Sequence, residues 1–400
     1  MTLRFTQLEI REVKIPFRFA FKHALAVRRE AHNLILTLSS NTGNIGYGEV
    51  IPRPYLTGES IDSAWQDLCS QYWPAVRELK LPVNQFPGEA LQPIFAWATN
   101  LRKTAAYAGI DLAVWDAWAK AARRPGYSMF GQRRPLAPAL TSPLGAGSFR
   151  YLWGVTNLTK FLGFEHYKVK VGRVQDLAAV GLIRQIIGPW RDLRVDANGG
   201  WETDQAISMA RELQQFDVSS LEQPIPAGNV LDLARVQREG GLPVMADESL
   251  CTLADAQTLL TEQAADIWNL RLAKIGGFTG LLAMLQLAGY PLPPALSGQA
   301  PLPHLNRGSE ARRYRPKMHL GVLVGETSLI SAAARACLAL GPFLHVEYGY
   351  PRLLLKIDPF RGDPGGYNGR ARPLGDDFGL GVSPRQRLLD EVTVRREILS

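Results

Sequence analysis

The sequence predicts an α/β chain in which an α+β segment of about 125 residues precedes a run of repeated strand-helix units. Three observations predict it. β-branched and aromatic runs separated by turn residues open the chain, amphipathic stretches come next, and from about residue 139 short apolar strands alternate with helical patterns. With 400 residues, 46% apolar and 20% charged, the chain can fill a large core and exceeds one small module.

Residues 3–16 and 32–40 are rich in strand formers, and Asn41-Thr42-Gly43-Asn44 turns the chain toward another strand-like stretch at 46–50, so an antiparallel meander is expected. Helical patterns follow at about 60–79 and 104–122. The second carries Tyr107, Ile110, Leu112, Val114, Trp115 and Trp118 at mixed three- and four-residue spacing, as a buried stripe requires. Arg123-Arg124-Pro125-Gly126 breaks the pattern. Beyond it, five segments read as strands with charged ends: 167–171, 193–198, 220–224, 244–248 and 270–274. Taking one charged residue from each, the steps are 196 − 170 = 26, 222 − 196 = 26, 247 − 222 = 25 and 274 − 247 = 27. Such a step is one βα unit repeated. If the sheet closes into a barrel, residues at the C-terminal strand ends converge on one mouth.

Lys168 and Lys170, two apart on a predicted strand, point to one face. Each ammonium disfavours the protonated form of the other, and a nearby divalent cation adds to this, drawing one amine toward a pKa suited to a general base. Alone, the pair reads equally as solvated lysines on an edge strand. Asp196, Glu222 and Asp247 come from three successive strand ends. Three converging carboxylates repel one another without a cation, and oxygen ligands lacking Cys or His describe a Mg2+ site better than a zinc site. Singly, each acid could instead cap the following helix. Lys274 lies two strands beyond Glu222 and, in a closed barrel, across the mouth from Lys168 and Lys170. A carbon acid held between would meet an amine on each face. Two bases invert a stereocentre, whereas one base with a cationic partner permits elimination or cycloisomerisation. Asn198 and Glu248 lie next to the acidic ends and would either orient the ligands or cap a turn.

Composition narrows the classes. The excess of 45 − 37 = +8 is scattered through most of the chain, so no nucleic-acid partner is expected. Cys69, Cys251 and Cys337 are odd in number and far apart, which fits free thiols in a reducing compartment, and a cytoplasmic location is expected. The N-terminus has no basic-then-apolar pattern and no apolar run nears the roughly 18 residues of a membrane span, so no membrane association is expected. A reading of another class is a non-catalytic barrel that binds an acidic partner or nucleic acid through the basic segment 307–317.

With Lys168 and Lys170, then Asp196, Glu222 and Asp247, then Lys274 in this order, the chain resembles the enolase superfamily, in its muconate-lactonizing-enzyme-like subgroup. That subgroup includes dipeptide epimerases, N-acylamino acid racemases and o-succinylbenzoate synthases. The resemblance implies a modified TIM barrel, (β/α)7β, over 138–364, with an N-terminal α+β capping domain over 1–125 completed by 365–400. It implies Mg2+ on Asp196, Glu222 and Asp247, Lys170 as base on one face with Lys168 supporting it, and Lys274 as base on the other. A lysine or histidine base working with magnesium is the known pattern of that superfamily. The implied activity is abstraction of the proton α to a carboxylate through an enolate, as a racemase or epimerase of N-acylamino-acid-like carboxylates. Dehydration like that of o-succinylbenzoate synthase, or muconate-type cycloisomerisation, is the alternative on the same site. The partners implied are a small-molecule carboxylate and further copies of the chain in a homo-oligomer.

Substrate choice in that family implies two capping loops, here 19–24 with Lys22 and His23, and 52–59 with Arg53 and Tyr55. It also implies the last strand ends, here 321–327 and 343–347, the latter carrying Glu347. Two departures stand out. Dipeptide epimerases carry Asp-x-Asp on the eighth strand, which Leu344-His345-Val346-Glu347 lacks, so an acylated or amine-free carboxylate fits better. The step from Lys274 to Thr327, 327 − 274 = 53, is about twice the period, so 288–317 reads as an insertion away from the mouth. A rival register would put 296–299 at the seventh strand end.

Overall fold

The computed structural model describes the chain except residues 24–25, 131–138, 146, 173–175, 293–313, 342, 363–364, 367, 371 and 373, and except the side chains of 21–27. The expected meander is present with longer strands. β1 (Phe5–His23) pairs antiparallel with β2 (Ala26–Ser40), and β2 with β3 (Ile45–Val50). The turn between β2 and β3 closes on Gly43, whose φ of 77° needs the freedom of glycine. Helix α1 (Pro87–Asn100) leads to α2 (Thr104–Ala121), which matches the expected 104–122 stretch. Every α2 residue from Thr104 to Ala119 is buried. The helix touches β3 and also α8 (Gly277–Leu287) of the barrel, so it needs an apolar surface all round. Gly46 and Gly48 allow this approach, since a Cβ on either would meet α2 backbone at 1.9 Å.

The second half is a parallel eight-stranded sheet with strands in sequence order. These are β4 (Thr141–Leu144), β5 (His166–Lys170), β6 (Asp192–Asp196), β7 (Ser220–Glu222), β8 (Val244–Ala246), β9 (Ile267–Leu270), β10 (Lys317–Leu320) and β11 (His345–Val346). A parallel bridge between Leu140 and Val346 brings the first and last edges together. The result is a nearly closed α/β barrel with helices around it, beside the antiparallel N-terminal sheet. β12 (Thr393–Leu399) returns to that sheet and pairs with β1.

The barrel interior is polar. Register places His166 beside Asp192, Lys168 beside Arg194 and Lys170 beside Asp196, and Arg194, His319 and Asn269 are fully buried. Interiors of such barrels are commonly filled by branched apolar residues, so these charges need partners.

One strand end differs from expectation. β9 stops at Leu270, Arg271 follows it, and Lys274 sits in a helical turn, Leu272–Ile275. Lys274 therefore reaches the mouth from beyond the strand. β10 ends directly before 321–327. The rival register at 296–299 and most of the basic segment, from 307 to 313, lie outside the described residues. At the near edge of that stretch, Arg315 stacks over the Tyr290 ring at 3.7 Å. No helix among the described residues is long and apolar enough to cross a membrane.

Candidate active site

At the C-terminal ends of the barrel strands, charged side chains form a continuous series of contacts. Lys168 and Lys170 alternate with Val169 on β5, and Asp196 ends β6 opposite Lys170. Lys170 Nζ lies 3.1 Å from Asp196 Oδ2 and donates to Asn198 Oδ1. Lys168 Nζ lies 3.7 Å from the same Asp196 oxygen, 3.5 Å from Glu222 Oε2 and 2.5 Å from Glu347 Oε1. Glu222 Oε1 accepts from Asn269 Nδ2 at 2.8 Å and from Arg271 Nη2 at 3.2 Å. Arg271 pairs also with Asp247 Oδ2, and Lys274 Nζ lies 2.8 Å from Asp247 Oδ1. The order of contacts is thus Lys170, Asp196, Lys168, Glu222, Arg271, Asp247, Lys274. An amine stands at each end with three carboxylates between.

Burial makes these charges costly unless they are balanced. Asp196, Glu222, Asp247 and Lys274 are all fully buried. Burial pushes the Glu222 carboxyl up to about 7, opposed by Lys168 and reinforced by Asp196 and Asp247. Burial, with Asp247 and Asp196, pushes Glu248 up to about 8. Burial also works to raise Asp247, but Arg271 and Lys274 outweigh it and hold that carboxyl below its usual range. Burial alone would lower the Lys168 ammonium; Glu222, Glu347 and Asp196 instead hold it well above its ordinary value. The repulsion expected between the two ammonium groups is thus outweighed at Lys168. Its carboxylate neighbours dominate, and it is a fixed cation.

Asp196, Glu222 and Asp247 fit a divalent ion. Among the described residues Glu222 Oε2 is buried with no hydrogen-bond donor, its nearest cation being Lys168 Nζ at 3.5 Å, and burial together with the neighbouring acids raises the Glu222 and Glu248 carboxyls. Hard carboxylate oxygens converging from three strand ends are the donors Mg2+ takes. Asn198 and Glu248 stand where second contacts to these ligands would. Asn198 N donates to Asp196 Oδ1 at 3.1 Å, and its Nδ2 donates to Glu248 Oε1 at 3.3 Å.

Other expected residues are placed less uniformly. Arg53 is buried, and its guanidinium donates to the carbonyls of Pro52 at 2.9 Å, His32 at 3.3 Å and Val324 at 3.4 Å. It joins the 52–59 loop to the segment after β10. Tyr55 is 46% exposed, with Arg28 over its ring. Glu347 lies inside the barrel on Lys168. The side chains of Lys22 and His23 lie outside the described residues.

Three residues of the site escaped the sequence reading. Arg271 and Asn269 both hold Glu222, and Gln223 holds the segment carrying Asp247. Gln223 Oε1 accepts from Asp247 N at 3.0 Å and Ser249 N at 3.1 Å, while its Nε2 donates to Ser249 Oγ at 2.8 Å. The charge of Arg271, three residues before Lys274, was a signal available in the sequence; Asn269 and Gln223 carry none.

Residues 155–291 match the family described as enolase C-terminal domain-like. The D-Ala-D/L-Ala epimerase of Cytophaga hutchinsonii is 27% identical over 363 residues, 89% of each chain. Over residues 155–291 the chain is similar to enolase-superfamily proteins. Members of this superfamily use Mg2+. The chain is also similar to the N-succinyl-L-Arg/Lys racemase of Bacillus cereus, at 25% identity over 69% of this chain and 74% of that one. The crystal structure of an N-succinyl Arg/Lys racemase from Bacillus cereus superposes with a TM-score of 0.82 at 23% identity, covering 99% of this chain and 100% of that one. At that identity the superposition speaks for the fold.

Proposed function

We propose that the chain is an enolase-superfamily enzyme that racemises or epimerises N-acylated amino acids by removing and returning the proton α to the carboxylate. The observation that carries the reading is the contact order itself, with Lys170 and Lys274 at opposite ends of a buried carboxylate series. Lys170 takes or returns the proton on one face of the α-carbon and Lys274 on the other. Lys168, held as a cation by Glu222, Glu347 and Asp196, orients Asp196 and Glu222. Asp196, Glu222 and Asp247 would hold the Mg2+. Bound there, the ion would supply positive charge to offset negative charge developing on the substrate carboxylate as the proton leaves.

The acylated class is favoured because Glu347 is engaged by Lys168 and the eighth strand offers no Asp-x-Asp for a free ammonium. The named N-succinyl amino acid racemase supports the same choice. We also assign residues 1–125 with 365–400 to a cap over the barrel of 138–364; the Arg53 contact with Val324 supports this, because it ties a cap loop to the strand-end side.

The test is solvent exchange. In D2O with Mg2+, the protein should wash deuterium into the α-carbon of N-succinyl amino acids, and chelation should stop it. No exchange across N-succinyl, N-acetyl and dipeptide substrates contradicts the proposal. Loss of water from a substrate without α-exchange would favour the elimination reading.

A further inference from the structure

A second constellation sits at the opposite end of the same strands. His166 opens β5, Asp192 opens β6 and His345 opens β11, each at the N-terminal end, whereas Lys170 and Asp196 close theirs. One ligand atom from each of His166, Asp192 and His345 lies within 4.8 Å of the other two. Asp192 Oδ2 is 3.4 Å from His166 Nδ1 and 3.2 Å from His345 Nε2. Among the described residues Asp192 Oδ2, His166 Nδ1 and His345 Nδ1 are buried with no hydrogen bond of good geometry. Zinc bonds of about 2.0–2.1 Å at tetrahedral angles place neighbouring ligand atoms about 3.3 Å apart, and the two carboxylate–imidazole separations, 3.4 and 3.2 Å, match that spacing. The remaining carboxylate oxygen, Asp192 Oδ1, accepts from Ser219 Oγ at 2.5 Å, so the side chain is already oriented.

We propose that His166, Asp192 and His345 bind a first-row transition-metal ion such as Zn2+ at the floor of the barrel, separate from the carboxylate site at its mouth. Two imidazoles and one carboxylate suit such an ion and not Mg2+, and leave a fourth position for water. His166 and Asp192 side chains are 26% and 17% exposed, which gives the ion an entry from solvent.

The position also suggests what the ion does. Backbone pairing between β4 and β11 among the described residues is the single Leu140–Val346 bridge, the weakest seam of the barrel. β5 and β6 lie on one side of that seam and β11 on the other, so a shared ion clasps it. The competing arrangement is a metal-free one in which Arg194, whose Nε lies 3.4 Å from Asp192 Oδ2, serves as the cation.

Chelator-treated protein saturated with Mg2+ should bind one Zn2+ by calorimetry, and Co2+ in its place should give the visible absorption of a four-coordinate site. H166Q and D192N should weaken Zn2+ binding at least tenfold, while D247N leaves it unchanged. His166 is partly exposed, so H166Q is the variant least prone to misfold, and Zn2+ should raise the melting temperature of the wild type but not of H166Q. Three results would overturn the proposal: no Zn2+ bound in the presence of Mg2+, binding lost in D247N, or affinity unmoved in H166Q.

Discussion

At the scale of single residues, the site depends on groups that never face the reacting carbon. Gln223 is fully buried with a φ of 36°, and its amide accepts from Asp247 N and Ser249 N while donating to Ser249. Gln223→Leu leaves two backbone donors unsatisfied and frees the segment that aims Asp247. The expected cost is about 1–3 kcal/mol in stability, with Mg2+ affinity about 10–100-fold weaker, read by urea unfolding and by metal titration. An unchanged Mg2+ affinity would show that Asp247 is held otherwise. The residues legible in the sequence were charges at or just beyond the ends of expected strands: Lys168, Lys170, Asp196, Glu222, Asp247 and Lys274. Arg271 was missed because it shares a segment with Lys274, and without the strand's end point, β9 stopping at Leu270, either could be the terminal charge. His166, Asp192 and His345 were missed for a different reason. His166 and Asp192 stand one repeat step apart, 192 − 166 = 26, but they open their strands, where no strand-end charge was sought, and only barrel closure brings His345 to them.

At the scale of elements, cap and barrel are joined by buried carboxylates. Glu49, near the end of β3, accepts from Asn33 Nδ2 at 2.8 Å and from Thr327 Oγ1 at 2.7 Å; Thr327 caps α9 (Ser328–Cys337). Asp111 on α2 likewise accepts from Phe278 N at 2.7 Å at the start of α8. Burial pushes Glu49 up to about 7 despite the Thr327 and Asn33 donors. Because this folded-state value exceeds the unfolded 4.5, the folded chain binds the proton more tightly, so this group's contribution to stability falls as pH rises from 4.5 to about 7 and is level beyond. Glu49→Gln removes that dependence. Relative to wild type, the variant's stability should improve by as much as about 3 kcal/mol between pH 4.5 and 8, measured by urea unfolding across that range. A difference that does not vary with pH would place the Glu49 value near that of an ordinary carboxyl. Such links were not legible from sequence, since a Glu ending a strand gives no hint of which distant helix it caps.

At the scale of the whole molecule, the repeated step of 25–27 residues made the barrel readable, because each βα unit needs the same length of chain to return to the same end of the sheet. The meander was readable from its turn and strand formers. What the repeat could not supply was the polar interior that runs from the mouth to the floor. Glu347 contacts Lys168 above and approaches His319 Nε2 at 3.5 Å, His319 Nδ1 lies 3.1 Å from Arg194 Nη1, and Arg194 reaches Asp192. The central claim remains that two amines address opposite faces of one carbon. The most direct measurement follows α-deuterium incorporation into each enantiomer of one N-succinyl amino acid, for wild type, Lys170→Ala and Lys274→Ala. Each variant should lose exchange with one enantiomer by about 10²–10⁴-fold, the two variants should affect opposite enantiomers, and neither should racemise. Loss of both enantiomers in one variant with none in the other, or exchange surviving in both, would contradict the account.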